Sequence, residues 1–320
     1  MKKIRLGQTD VEVSTLCFGT DSIGSKIDME SSYQLLDRYT ELGGNWIDTA
    51  NMYATWIPGC CGGESETARG TWMKARGNRD DLFIATKMGF DYGDTPAGLS
   101  AAQIRAECDK SLQRLGIDTI DLLFAHRDDR DTPLQETLAA LDSLVKAGKV
   151  RLLGASNFQT WRLAEALSVS TQNGWTPFSA VEQRHTYLRP LHGASFTPQV
   201  VVNEEMIDCC RSRQLTLVAY SVLLQGAYTR NERPIPAQYA GPDADQRLSV
   251  LKTVSQEIGA TVSQVVIAWL LANEVVPIIA GSQVEQIEEN AGALDVTLTE
   301  QQIQQLNTAG DPSLDSEWLR

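Results

Sequence analysis

Asn45-Trp-Ile-Asp48, Leu82-Phe-Ile-Ala-Thr-Lys87 and Ile120-Asp-Leu-Leu-Phe-Ala-His126 are three short apolar runs, each closing on one charged or titratable residue. Runs of four to seven residues rich in Ile, Phe and Trp read as strands buried on both faces. Between them lie two longer stretches, about 64–75 and 100–115, whose apolar residues recur at helical spacing. Ser100 is a natural N-cap for the second, and Gly116 a natural stop.

The same rhythm extends in both directions. Upstream, Leu16-Cys-Phe-Gly19 is a strand, followed by a helix over 30–42 (Tyr33, Leu35, Leu36, Tyr39, Leu42) that Gly43-Gly44 ends. Downstream, strands at 150–156, 179–183, 216–220 and 276–280 are predicted. Helices are predicted at 133–147 with Pro133 in its first turn, and at 160–173, 201–213, 245–258 and 261–273, with a final α unit from about Gln283. Thr299 opens a C-terminal helix. Eight β runs each followed by helix favour a closed (β/α)8 barrel over an open doubly wound sheet. Ile4-Arg-Leu and Val11-Glu-Val flank Gly7-Gln-Thr-Asp10 as a small N-terminal hairpin expected to plug the barrel bottom. No linker or change of composition divides the chain, so one domain over 1–320 is expected.

Composition narrows the function classes. The 320 residues are 42% hydrophobic and 22% charged, which suits a globular protein with a real core. A net charge of −13 argues against a broad interface with nucleic acid or anionic lipid, while leaving room for a local phosphate pocket. The basic start Met1-Lys-Lys lacks a following apolar stretch, and no run of eighteen apolar residues occurs, so neither secretion nor membrane insertion is expected. The six cysteines, at 17, 60, 61, 108, 209 and 210, form no C-x-x-C spacing. Reduced thiols in a cytoplasmic protein follow as the plain expectation. Three histidines without metal-ligand spacing (His126, His185, His192) argue against a metal-dependent hydrolase.

In such a barrel, chemistry gathers at the C-terminal ends of the strands. Asp48, Lys87 and His126 end three consecutive strands, and Tyr53 lies five residues beyond Asp48. Singly, each has an ordinary structural explanation: an N-cap Asp, a solvated Lys, a core Tyr, a packed His. Four together on one face point to catalysis. Carbonyl reduction needs a proton donor at oxygen and a hydride donor at carbon. Tyr53 can be the acid, with Lys87 expected to lower its pKa, Asp48 to hold Lys87, and His126 to orient the carbonyl.

Asp48-Thr-Ala-x-x-Tyr53, Ala85-Thr-Lys87, Asp121-Leu-Leu-x-x-His126 and Gly154-Ala-Ser-Asn-Phe158 resemble the signatures of the aldo-keto reductase family, and the likeness covers essentially the whole chain. The resemblance implies an NADP- or NAD-dependent oxidoreductase acting on a small carbonyl or alcohol substrate, with Asp48, Tyr53, Lys87 and His126 as its catalytic set. It further implies that Ser156, Asn157 and Gln183 hold the nicotinamide carboxamide and Tyr220 stacks on the ring. Thr20, Ser221, Leu223 and Gly226 would line the ribose and pyrophosphate, and Asp48 would also be cofactor-binding. Gly281, Ser282, Gln283, Gln286, Glu289 and Asn290 would take the adenosine end. A G-x-G-x-x-G fingerprint is absent, so no Rossmann site is implied. Potassium-channel β subunits share this fold, and a nucleotide-sensing regulatory subunit is the alternative function.

Two departures from the family pattern stand out. Gln283 and Gln286 occupy the segment where many members place Lys or Arg against the 2′-phosphate of NADP, which leaves NADP favoured over NAD only slightly. The loops 54–63 and 184–203 are long, and Trp56 in the first is a candidate wall of the substrate pocket. Sugars, polyols, steroids and aliphatic aldehydes all remain open as substrates, as does the oligomeric state.

Overall fold

Most residues of the barrel strands are buried, and closure of the sheet is what makes that possible. The computed structural model describes residues 1–230 and 232–311. Strands β1 (Lys3–Arg5) and β2 (Glu12–Ser14) pair as an antiparallel hairpin. Eight parallel strands follow: β3 (Cys17–Gly19), β4 (Trp46–Asp48), β5 (Phe83–Met88), β6 (Ile120–Ala125), β7 (Val150–Ser156), β8 (Phe178–Arg184), β9 (Thr216–Tyr220) and β10 (Val275–Ile279). They pair in chain order, and β10 returns to β3 to close the barrel. The helices are α1 (Met29–Glu41), α2 (Glu64–Arg76), α3 (Ala101–Leu115), α4 (Leu134–Lys146), α5 (Thr160–Asn173), α6 (Glu204–Ser212), α7 (Pro242–Ile258), α8 (Val262–Ala272), α9 (Val284–Ala291) and α10 (Glu300–Thr308). The barrel expectation holds throughout. The stretch 312–320, which the one-domain expectation includes, lies outside the described residues.

Alternation along each strand sorts its side chains into two cores. Phe18, Ile47, Ile84, Leu123, Leu153, Val181 and Leu217 face the helices. Cys17, Trp46, Phe83, Ala85, Leu122, Phe124, Ala180, Val218 and Val276 fill the barrel interior, joined by Leu6, Val11 and Val13 of the hairpin. The hairpin therefore plugs the barrel bottom as predicted, and the Gly7 amide donates to Thr216 Oγ1 at 2.7 Å.

Local chemistry sets the helix ends. Ser100, Thr261 and Thr299 each close a capping box with Gln three residues on. Helix α6 starts at Glu204 and not at 201, because the Asn203 side chain accepts from the Met206 amide and makes 203 the cap. Residues 200–202 instead run back beside Arg184, whose carbonyl accepts from Val202 at 2.9 Å. Pro133 sits just outside α4, not in its first turn, since its ψ of 129° is extended. Helix α7 begins earlier than the predicted 245, at Pro242, where a missing N–H costs nothing.

Gly154 lets the interior close. A Cβ there would lie 2.4 Å from the Phe124 ring, which fills the barrel against β7. Gly154→Ala is expected to destabilise the protein by about 1–3 kcal/mol through overpacking. A urea midpoint unchanged from the parent would contradict this packing.

Candidate active site

The inward alternation that fills the barrel continues upward into polar residues. Counting by two from Trp46, Ala85, Phe124 and Ala180 reaches Asp48, Lys87, His126 and Glu182, all at the C-terminal mouth. These are the strand ends where a parallel barrel presents its chemistry. Asp48, Lys87, His126 and Glu182 are all buried.

Lys87 is the hub. Its Nζ donates to Asp48 Oδ2 in a very short contact, to the Thr49 carbonyl at 3.0 Å and to the Tyr53 hydroxyl at 2.9 Å. Glu182 Oε1 stands 3.4 Å away. Tyr53 arrives on a tight turn after β4, where the buried Ala54 takes a left-handed φ of 82°. Its hydroxyl also lies 3.4 Å from Asp48 Oδ2. The His126 ring lies 6.0 Å from the Tyr53 ring, and Phe90 packs edge-on against His126 at 4.8 Å. The four residues predicted to work together are thus brought together.

Beneath them the backbone is pinned from outside the barrel. Thr20 Oγ1 donates to the Asp48 carbonyl at 2.6 Å, and the Thr49 and Ser65 hydroxyls are 2.8 Å apart. Helix α2 is thereby tied to the end of β4.

The electrostatics follow from burial against one cation. Burial opposes the charge on Lys87, but Asp48, Glu182 and Tyr53 outweigh it and hold the ammonium well above a free lysine. Burial raises the Asp48 carboxyl, and Lys87 pulls it back. Tyr53 corrects an expectation: Lys87 does act to lower its pKa, yet burial, with Asp48 and Glu182, holds the phenol well above its usual range. His126 is pushed well below its usual pKa by burial and then by Lys87, so its imidazole is neutral near pH 7.

Several residues assigned to a cofactor by resemblance spend their polar atoms on the chain itself. Asn157, at a left-handed φ of 59°, donates to the His126 carbonyl at 2.9 Å and accepts from Tyr220 at 2.7 Å and the Val200 amide at 3.1 Å. Gln183 accepts from the Asn157 amide at 2.8 Å and donates to the Phe158 carbonyl at 2.6 Å. The Ser156 hydroxyl is fully buried, 3.1 Å from Asn157 Nδ2. Thr20 is likewise buried and committed to Asp48. Glu289 turns to Thr261, the cap of α8, at 2.8 Å, and Asn290 donates to the Ala280 carbonyl at 3.2 Å. Gln286 caps the Ser282 amide at 2.7 Å. Gln283 stands at the N-cap of α9 without capping it. Ser221 takes a left-handed φ of 59° and accepts from Arg184 at 3.3 Å, and Gly226, two residues beyond the half-buried Leu223's neighbour Leu224, takes a φ of 91°. Trp56 is 54% exposed with its ring 6.0 Å from Tyr53.

Two charged residues escaped the sequence reading. Glu182 lies beside the chosen Gln183, and the alternation Ala180-x-Glu182 was the signal that it faces inward. Arg69 on α2 is fully buried, and its guanidinium meets no acceptor among the described residues. Burial lowers its pKa to about 10, opposed by the charges of Asp48 and Glu66. Nothing in the sequence around Arg69 marks it, because a helix position every three or four residues can face either a strand or solvent.

Removing the hub has a calculable consequence. Lys87→Met leaves the buried Asp48 and Glu182 carboxyls without the cation that Asp48 hydrogen-bonds and Glu182 approaches, an imbalance expected to cost about 3–5 kcal/mol. Burial raises carboxyl pKa values in the folded state, so the deficit grows as pH rises above the unfolded carboxyl range and shrinks on acidification. Denaturant midpoints falling equally at about pH 5 and about pH 8 would refute this account.

Residues 15–311 match the model of the aldo/keto reductase family. Norsolorinic acid reductase A of Aspergillus parasiticus is 31% identical, over 93% of this chain and 78% of its own length. An uncharacterised oxidoreductase of Bacillus subtilis, YrpG, is also 31% identical, over 96% of this chain and 95% of its own. The crystal structure of the thermostable aldo-keto reductase Tm1743, bound to the inhibitor epalrestat, superposes with a TM-score of 0.77 at 27% identity, covering 96% of this chain and 99% of that one. With the family model spanning the barrel and its mouth, the chain belongs to the aldo/keto reductase family of oxidoreductases.

Proposed function

We propose that this protein reduces an aldehyde or ketone with a nicotinamide dinucleotide, Tyr53 supplying the proton. One observation carries the reading: the Tyr53 hydroxyl, at the barrel mouth, lies 2.9 Å from a buried ammonium that Asp48 fixes in place. When bound, the dinucleotide supplies the hydride, which no side chain can.

The chain's own residues do the rest. The raised pKa keeps Tyr53 protonated through neutral pH, so the proton is present when charge develops on the carbonyl oxygen. An alkoxide is a far stronger base than a phenolate, so transfer is downhill. Lys87 then stabilises the phenolate that remains. His126, neutral, can donate a hydrogen bond to the same oxygen and orient it without competing as an acid. Phe90 and Trp56 flank His126 and Tyr53 with apolar rings, which supports a substrate with an apolar or planar group beside its carbonyl.

The cofactor reading has its own support. Gln283 puts no acceptor on the first-turn N–H groups of α9, leaving donors suited to a phosphate. Ser282 and Gln283 would meet the adenosine end, and the left-handed Ser221 and Gly226 open the backbone for the pyrophosphate. Tyr220, clamped by Asn157, would flank the nicotinamide. We favour NADP over NAD only slightly, because this segment offers a phosphate no Lys or Arg.

Tyr53→Phe removes the proton donor alone. Turnover of carbonyl substrates should fall by about 10² to 10⁴ while cofactor affinity, read by fluorescence quenching, stays near that of the parent. Wild-type turnover in this variant would dismiss Tyr53 as the acid.

Gln283→Arg tests the adenosine end more cleanly than a change at Gln286, whose side chain already serves the Ser282 amide. A charge-assisted contact is worth about 1.5–3 kcal/mol, so NADP should tighten by about tenfold or more with NAD almost unmoved. Equal responses from the two cofactors would show that position 283 does not meet the 2′ substituent.

A further inference from the structure

Lys87 has three N–H bonds and four oxygens around it. Asp48 Oδ2, the Thr49 carbonyl and the Tyr53 hydroxyl take all three, and Glu182 Oε1 waits at 3.4 Å. Glu182 is only 2% exposed, and its Oε2 meets no donor among the described residues. Asp48 Oδ1, also buried, meets none either. The two carboxyls flank the same ammonium, Asp48 through Oδ2 and Glu182 through Oε1. Two ionised carboxylates with one shared cation would leave both unpaired oxygens desolvated and mutually repelling, a costly state inside a barrel.

We propose that Glu182 carries a proton, donates it in a hydrogen bond to the Asp48 carboxylate, and acts through Lys87 as a positioning residue whose ionisation shuts off carbonyl reduction at alkaline pH. One proton leaves the buried cluster with one carboxylate opposite one ammonium. Asp48 is the partner that stays ionised, since it alone takes a direct Lys87 hydrogen bond. The consequence for turnover rests on the reductase reading above; the buried proton does not.

The surroundings agree. From β3, Cys17 faces the pair as a neutral thiol, its pKa raised by burial and then by Asp48 and Glu182. From β9, Tyr220 is held neutral by burial. Tyr53 is neutral above, and from α2 only Arg69 adds positive charge toward Asp48. Burial, then the Asp48 charge, push the Glu182 carboxyl up to about 8. As pH rises through that value Glu182 ionises and competes for the lysine N–H that serves Tyr53. Its charge also opposes the phenolate that Tyr53 must become. Reduction therefore falls with rising pH well before Tyr53 itself ionises.

Glu182→Gln tests this, because glutamine keeps the size and can still donate to Asp48 but does not titrate. In infrared pH-difference spectra, the wild-type protein should show a protonated-carboxyl band that disappears with a midpoint of about 8 and is missing in the variant. With para-nitrobenzaldehyde as probe and NADPH, the alkaline limb of kcat should move up by about one pH unit or more, with KM little changed. Glu182→Asp should restore a titrating limb. Carbon-13 labelling of glutamate in the wild type must shift the same band, which tests the assignment even if Glu182→Gln fails to fold. Absence of the band, or identical alkaline limbs in wild type and Glu182→Gln, would overturn the proposal. A band that behaves as described in a protein without carbonyl turnover would instead support the proton and overturn the reductase reading.

Discussion

A single ammonium inside a closed barrel organises this protein's mouth. Lys87 is fully buried, and water solvates none of its charge. Its stability in that position comes entirely from oxygens delivered by three separate segments: β4, the turn after it, and β8. Each of those segments is in turn constrained by the need to bring an oxygen to one point. The left-handed backbone at Ala54 shapes the turn that carries Tyr53, and Ser65 of α2 meets the Thr20 and Thr49 hydroxyls beside Asp48.

The same arrangement explains why Tyr53 behaves differently from a tyrosine merely placed beside a lysine. A cation stabilises a phenolate, but a cation already neutralised by a carboxylate does so weakly, while burial penalises the phenolate at full strength. The balance leaves a phenol that keeps its proton until a stronger base forms next to it. For a group that must donate in one direction and stay intact otherwise, this is a useful condition. It also makes the count of carboxylates near Lys87 a control on the site, since each added negative charge diverts the lysine further.

The outer ring of the mouth is built on different principles. Asn157 and Gln183 fall on the alternation that faces away from the barrel axis, and their amides stitch β6, β7, β8 and β9 together through His126, Phe158 and Tyr220. The loop 184–203 is drawn into this network where the Val200 amide reaches Asn157. Amides suit the task because each offers donor and acceptor at once. Tyr220 consequently has a fixed position although its ring is at the edge of the site.

The barrel was legible in the sequence because its cause is local. A strand buried on both faces must be short and apolar, and a helix that covers it must repeat every three or four residues; both patterns are visible without knowing what packs where. Asp48, Lys87 and His126 were legible for a related reason, as polar endings on apolar runs, and Tyr53 by its spacing from Asp48. Glu182 was half-visible: alternation from Ala180 turns it inward, but whether an inward carboxyl meets a cation depends on the neighbouring strands. The direction of the Tyr53 shift, the buried guanidinium of Arg69 and the commitment of Asn157 and Thr20 to the chain were decided only by the tertiary structure. Burial and charge balance are sums over residues far apart in sequence, such as 48, 87 and 182, and no local pattern carries a sum that closure of the barrel creates.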